Sequence, residues 1–410
     1  MKQRFVLIVL LFAAVIGASE YATIQRDRAI VRNGPGSYYQ IIAELEKGDS
    51  FVIKEENGGW LKMQKEKLEG YISQKVTIPR KSSEDIFSKM GVQKTDLYVS
   101  QHGMSAGVKG FAQKFTKKFS GSQDFITLYL NFNLDPISYK NFENATYKGF
   151  NLKQNYQNFK LPPPENKDYF SFPEEGMGIG IASHLANLGI YDDPKLTEYI
   201  NQVGNIIVEA TDAYDINFKI FILDVDEVNG YSCPGGIIFI TLGMLKMVRT
   251  EAELACVLAH EIAHVERHHG MLEMEKRKHH IMSDNAFSEM DREMEEIGLE
   301  TDKEYQSSEA EMEELCFDIY EIIVNGRLQE YEKEADQLAI IYASRAGYDG
   351  RQLLNLLQRL KQSATISSNE HYTPGQIEKR IVIVKEKLSH YNFNRELFDK
   401  YERFNSTVRF

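Results

Sequence analysis

The pattern of apolar and polar positions changes character several times along the chain. From residue 20 to 79 it consists of short apolar runs broken by turn residues. Ala29 to Arg32 precedes Asn33-Gly-Pro-Gly36, and Tyr39 to Leu45 precedes Lys47-Gly48. Phe51 to Lys54, Asn57-Gly-Gly59, Trp60 to Met63 and Gly70-Tyr-Ile72 complete the series. Runs of that length at that spacing predict a small all-β barrel. Residues 80–170 are less regular: a linker-like start, a predicted helix over 103–115, then an Asn-, Tyr- and Phe-rich stretch with no clear period. Helical spacing begins near Phe172 and continues in a helix over 196–211. Lys219 to Leu223 and Gly236 to Thr241 read as strands, and a long helix is expected from Glu251 to about Met274. Helices dominate thereafter. The expected organisation is a segment 1–19, a β unit 20–79, an uncertain region 80–170, an α+β unit 171–390 and a C-terminal tail 391–410.

Segment 1–19 reads as a leader rather than as part of the fold. Lys2 and Arg4 precede twelve apolar residues from Phe5 to Ile16, followed by Gly17, Ala18 and Ser19. That order is a secretory signal peptide with cleavage after Ala18 or Ser19. The competing reading is an uncleaved anchor, but the run is short of the ~20 residues that span a bilayer. An exported protein is expected, in the periplasm first and secreted second, with no transmembrane helix after cleavage. The net charge of −12 argues against a nucleic-acid partner, which would call for a basic face. Three cysteines, Cys233, Cys256 and Cys316, cannot all pair within one chain and are expected as free thiols.

Residues 260–264 read His-Glu-Ile-Ala-His. On a helix, positions four apart share a face, so His260 and His264 can present their imidazoles to one ion. Glu261 lies beside that face, where a general base can reach a metal-activated water. Leu254, Val257, Leu258, Ile262 and Val265 supply the apolar face such a helix needs. A catalytic zinc site requires a third protein ligand and one open position. The acidic stretch from Glu330 to Ala339 can provide it. Glu332 and Asp336 are one turn apart, so one could ligate while the other accepts a histidine N–H. Glu330 and Glu334 are acidic too, and the residues alone do not choose among them.

Two resemblances sharpen this reading. The order RNGPGSYYQIIAELEKGDSF, GGWLKM and GYIS resembles bacterial SH3-like domains, with Trp60 expected as a core or groove-wall residue rather than a ligand contact. The stretches IYDDPKLTEYINQVG, NGYSCPGGIIFITLGML, EAELACVLAHEIAHVERHHG, EKEADQLAIIYASRAGYD and TPGQIEKRI resemble the HtpX/CAAX-prenyl-protease family of zinc endopeptidases, gluzincins, in its soluble periplasmic branch. The resemblance implies a mostly helical zincin-type domain with a small sheet. It places the family's Glu-x-x-Ala-Asp on Glu332 and Asp336, as third ligand and as partner of a ligand histidine. The implied metal set is His260, His264 and Glu332, holding one Zn²⁺ per chain. Two departures stand out. The family's His-Pro pair is Thr373-Pro374 here, with His371 two positions earlier, and Arg327 sits five residues before Glu332 instead of three.

Other features receive plainer readings. His268, His269, His279 and His280 are expected in solvent. Residues 283–321 hold 15 acidic and two basic residues and read as a solvated helical insert. Gly235, Gly236 and Ile237 are expected to open an edge strand, running to Thr241, on which a substrate backbone pairs. The expected function is hydrolysis of peptide bonds in misfolded or misassembled envelope proteins, with Glu261 as base. The partners are polypeptide substrates and a possible cell-wall or envelope-protein ligand of the SH3-like unit. The alternative is a chaperone-like envelope binding factor whose protease site is latched or vestigial.

Overall fold

The computed structural model describes residues 20–26, 28–78, 121–148, 150, 152–162, 172–273, 316–363, 373–393 and 397–409. The segments read as leader, as the 103–115 helix and as most of the acidic insert lie outside these residues. So do His279, His280 and His371.

Six strands come first: β1 (Glu20–Thr23), β2 (Arg28–Arg32), β3 (Ile41–Glu46), β4 (Ser50–Asn57), β5 (Trp60–Lys65) and β6 (Leu68–Ser73). They pair antiparallel in the order β1-β4-β5-β6-β2-β3. Gly58 (φ 59°) and Gly59 (φ 90°) form the β4–β5 turn, where two left-handed residues match the right-handed twist of the strands. Register shifts at Val31/Arg32 and Ile53/Glu55 bend the sheet. Ala29, Val31, Phe51, Trp60, Met63 and Ile72 thereby share one core. This is the small all-β unit expected from the turn spacing.

The region without readable period contributes three helices, α1 (Gln123–Asn131), α2 (Pro136–Tyr147) and α3 (Leu152–Asn158). Asp135 caps α2, accepting from Ser138 N at 2.8 Å, and Pro136 occupies the first helical position, where its missing N–H costs nothing. Helices of two or three turns carry few apolar repeats, which hides them from periodicity. Leu134, Tyr139 and Phe159 join the main hydrophobic core.

The second unit continues with α4 (Phe172–Leu185) and α5 (Pro194–Glu209), then β7 (Lys219–Leu223), β8 (Gly230–Cys233) and β9 (Ile237–Thr241). The sheet order is β7-β9-β8, with β9 parallel to β7 and antiparallel to β8. Period-two alternation sends Ile220, Ile222, Ile238 and Ile240 into one core cluster. Phe221, Leu223, Ile237 and Phe239 enter another on the opposite face. A sheet covered on both faces accounts for the unbroken apolar runs. The expected edge strand is corrected here. β9 is central, its backbone groups already paired on both sides. Gly235 and Gly236 are buried as well, the space beside them taken by Glu175 and by Ile216 with Asn217. Gly235, Gly236 and Ile237 therefore cannot accept a substrate strand. Among the described residues the outer strand on that side is β8, of which only Gly230 is partly exposed and whose Ser232 O accepts from Arg327.

The helices α6 (Leu242–Met247), α7 (Glu251–Glu266), α8 (Gln329–Arg345), α9 (Gln352–Gln362), α10 (Pro374–Ser389) and α11 (Tyr401–Thr407) complete the fold. Every residue of α7 is buried, with Thr250 Oγ1 accepting from Glu253 N at 3.1 Å to cap it. Glu251 anchors its first turn, accepting from Tyr199 Oη at 2.8 Å, Tyr348 Oη at 2.7 Å and Arg403 Nε at 2.6 Å. A buried carboxylate is tolerated only when so fully matched. Arg403 lies on α11, so the chain beyond residue 391 ties back to the start of α7. No helix among the described residues is long and apolar enough to cross a membrane.

Candidate metal centre and active site

α8 packs along α7, and that pairing assembles the site. His260 and His264 point from one face of α7, with their Nε2 atoms 3.1 Å apart. From α8, Glu332 approaches both: Oε2 lies 3.4 Å from His260 Nε2 and Oε1 lies 3.3 Å from His264 Nε2. One ligand atom from each of the three residues falls within 4.8 Å of the others. Asp336, one turn on, sits 3.1 Å from His260 Nδ1.

The donor set fits a metal ion. Two imidazole nitrogens and a carboxylate oxygen suit zinc, and three ligands leave a fourth position open. Glu332 Oε2 is buried and accepts no hydrogen bond, although Arg380 Nη1 lies 3.1 Å away. An acceptor so placed is costly unless a cation satisfies it. Arg380 also donates through Nε and Nη2 to the two oxygens of Asp336, at 2.8 and 2.7 Å. This two-pronged pair fixes the carboxylate that faces His260.

Electrostatics follow from this crowding. Burial opposes ionisation of Glu332 and Asp336, but Arg380 and the histidine contacts hold both below the usual carboxylate range. Burial also opposes charging of His260, yet the close carboxylates of Asp336 and Glu332 push it up to about 9. His264 is pushed well down by burial and by the cation of Arg327. Burial raises Glu261, with His260, Arg327 and Ser232 pulling the other way. A carboxylate raised towards neutrality is better suited to moving protons.

Glu261 faces β8. A carbon placed on Gly230 would lie 2.6 Å from Glu261 Oε1, so the missing side chain of β8 makes room for it. Asn229, Gly230, Ser232, Glu261, Arg327 and Glu332 line one narrow cleft. Arg327, just before α8, donates to Ser232 O at 2.8 Å and to Ser232 Oγ at 3.1 Å. Thr373 caps α10, accepting from Gln376 N at 3.3 Å. The Thr373-Pro374 pair thus serves the helix start.

The expectation of solvent-exposed His268 and His269 fails. Both are buried, His269 completely. On a continued helix His269 would point about 140° away from His264. Instead α7 ends at Glu266 and the chain turns through His268, whose φ is 54°. The turn brings His269 Nδ1 to 2.9 Å from His264 Nδ1, and its Nε2 to 3.3 Å from Glu334 Oε2. Arg380 was likewise not legible as a site residue, because charge on a helix ordinarily signals solvent, and Glu334, an alternative ligand on the sequence alone, faces His269 instead. All three cysteines are buried and free, as expected.

Comparison with known proteins agrees with this geometry. Residues 194–388 match the model of peptidase family M48. Residues 27–77 match that of the bacterial SH3 domain. The M48 match contains all of α5, the three-stranded sheet and the helices bearing His260, His264, Glu332 and Arg380. The chain is similar to the beta-barrel assembly-enhancing protease of Yersinia pestis, 29% identical over 170 residues, 41% of this chain and 33% of that protein. It is 26% identical over 181 residues to that of Escherichia coli K12, 44% of this chain and 35% of the relative. The mitochondrial metalloendopeptidase OMA1 of Schizosaccharomyces pombe is 36% identical over 73 residues, 18% of this chain and 22% of OMA1. The similarity thus spans about a third of the length of the first two relatives.

Proposed function

We propose that the chain is a zinc-dependent endopeptidase. The convergence of His260, His264 and Glu332 beside Glu261, in a cleft bordered by the outer strand β8, carries the reading. His260, His264 and Glu332 would hold one zinc ion. Such an ion supplies Lewis acidity and lowers the pKa of a water molecule towards about 7. Glu261 removes the proton from the attacking water and returns it to the departing amine. Asp336 keeps the Nδ1 proton on His260, so that Nε2 presents its lone pair to the metal. Arg380 holds Asp336 in place. An extended substrate backbone would pair with the outer side of β8 once Arg327 releases Ser232 O, which orients the scissile carbonyl over Glu261. Arg327, in the same cleft, is the candidate to steady negative charge on that carbonyl oxygen.

Envelope polypeptides, misfolded or misassembled, are the proposed substrates. The names of the relatives and the leader-like order of Lys2 to Ser19 support that choice. Metal analysis and casein hydrolysis of the wild type and Glu261→Gln test the proposal. Wild type with one zinc per chain and turnover upholds it; a chain that binds no zinc, or hydrolyses equally well as Glu261→Gln, overturns it.

A further inference from the structure

The all-β unit turns its tryptophan towards its own chain. Trp60 is buried within the core of that unit, and Tyr214, from the loop after α5, belongs to the same cluster. Trp60 Nε1 donates to Glu209 Oε2 at 3.1 Å. Ser37 donates to Glu209 Oε1 twice, from its backbone N at 2.7 Å and from Oγ at 2.7 Å. Three donors from the β unit therefore enclose one carboxylate. Around this centre Arg32, fully buried, donates to Tyr214 O at 3.1 Å, and Arg26 pairs with Asp212 at 3.4 Å. Lys75 donates to Thr211 O, and the ring of Tyr38 lies 4.2 Å from that of Tyr139 on α2.

The position of Glu209 makes the arrangement informative. It is the last residue of α5, at the negative end of the helix dipole, where a carboxylate is disfavoured. Nothing local to α5 rewards an acid there, whereas the donors of Ser37 and Trp60 do. The bonds of a charged acceptor are also about twice as strong as neutral ones. α5 in turn packs against α7, the helix that carries His260, Glu261 and His264.

We propose that Ser37 and Trp60 form a carboxylate-binding cradle which the chain fills with its own Glu209. On this reading the β unit is a fixed brace behind the metal-site helices. An outside ligand that needs the Ser37–Trp60 face must first displace Glu209. The inference goes beyond the peptidase reading and does not depend on the metal.

Trp60 is the only tryptophan in the chain, so its fluorescence reports this contact directly in full-length, metal-free protein. Acrylamide quenching is measured for the wild type, Glu209→Gln and Glu209→Ala, with circular dichroism checking that each variant is folded. Quenching is expected to rise severalfold in Glu209→Ala and less in Glu209→Gln, which keeps an acceptor oxygen. Adding propionate should return Glu209→Ala towards wild-type protection and leave the wild type unchanged. Unchanged quenching in both variants would overturn the brace. Raised quenching that propionate does not reverse would overturn the carboxylate cradle.

Discussion

His269 Nδ1 stands 2.9 Å from His264 Nδ1, so one imidazole of the metal set leans directly on another. On the proposed reading, a metal held at His264 Nε2 would leave the proton on Nδ1, to be donated to His269. His269 would then carry its own proton on Nε2, directed at Glu334 Oε2 3.3 Å away. Glu334, His269 and His264 would thus form a chain from a carboxylate through two imidazoles to the metal position. His260 has a shorter counterpart in Asp336, which Arg380 holds.

Removing this support should weaken the metal. His269→Ala is expected to lower zinc affinity on the order of 10–100-fold, as losses of such orienting partners do. His269→Asn, which can still accept from His264, should recover part of it. Competitive zinc titration decides, and wild-type affinity in His269→Ala would remove His269 from the site.

The acidic positions of α8 should separate cleanly. Glu332→Ala should abolish most zinc binding, since two histidines alone make an incomplete site. Asp336→Ala should cost about 10–100-fold, and Glu334→Ala less, because it reaches the metal set through His269. Glu330→Ala should match the wild type, its side chain projecting about 200° of helix rotation from Glu332. Emptying of the site by Glu330→Ala but not by Glu332→Ala would refute the ligand assignment.

Glu261→Gln should retain stoichiometric zinc while peptide hydrolysis falls by at least the 10²–10⁴-fold typical of a lost general base. The amide keeps the shape and removes only the proton acceptor. Zinc content by mass spectrometry beside initial rates on casein distinguishes this from loss of fold.

Gly230→Ala offers a subtler probe. The new carbon would meet Glu261 Oε1 at 2.6 Å and force the carboxylate aside. Displacing a catalytic group by about 1 Å can cost on the order of 10²-fold. The expected outcome is a fall in kcat with zinc affinity unchanged. An unaltered kcat would mean that Glu261 does not work from the position against β8.

The local chemistry was open to reading from the residues themselves. A helical repeat of 3.6 puts His260 and His264 on one face whatever surrounds them. The unbroken apolar run from Ile220 to Leu223 marks a strand covered on both sides. Which strand is the edge was not local: β9 and β8 are neighbours in sequence, and only the parallel partnership with β7 makes β9 central. The choice of Glu332 among four acids on α8 likewise depends on which face of α8 meets α7. The roles of Arg380, His269 and Glu209 rest on contacts with elements far away in the chain or beyond a helix end. Short-range periodicity sets where a side chain points relative to its own element. Which partner waits there is decided by the packing of faces that burial of the core brings together, and that packing belongs to the whole chain.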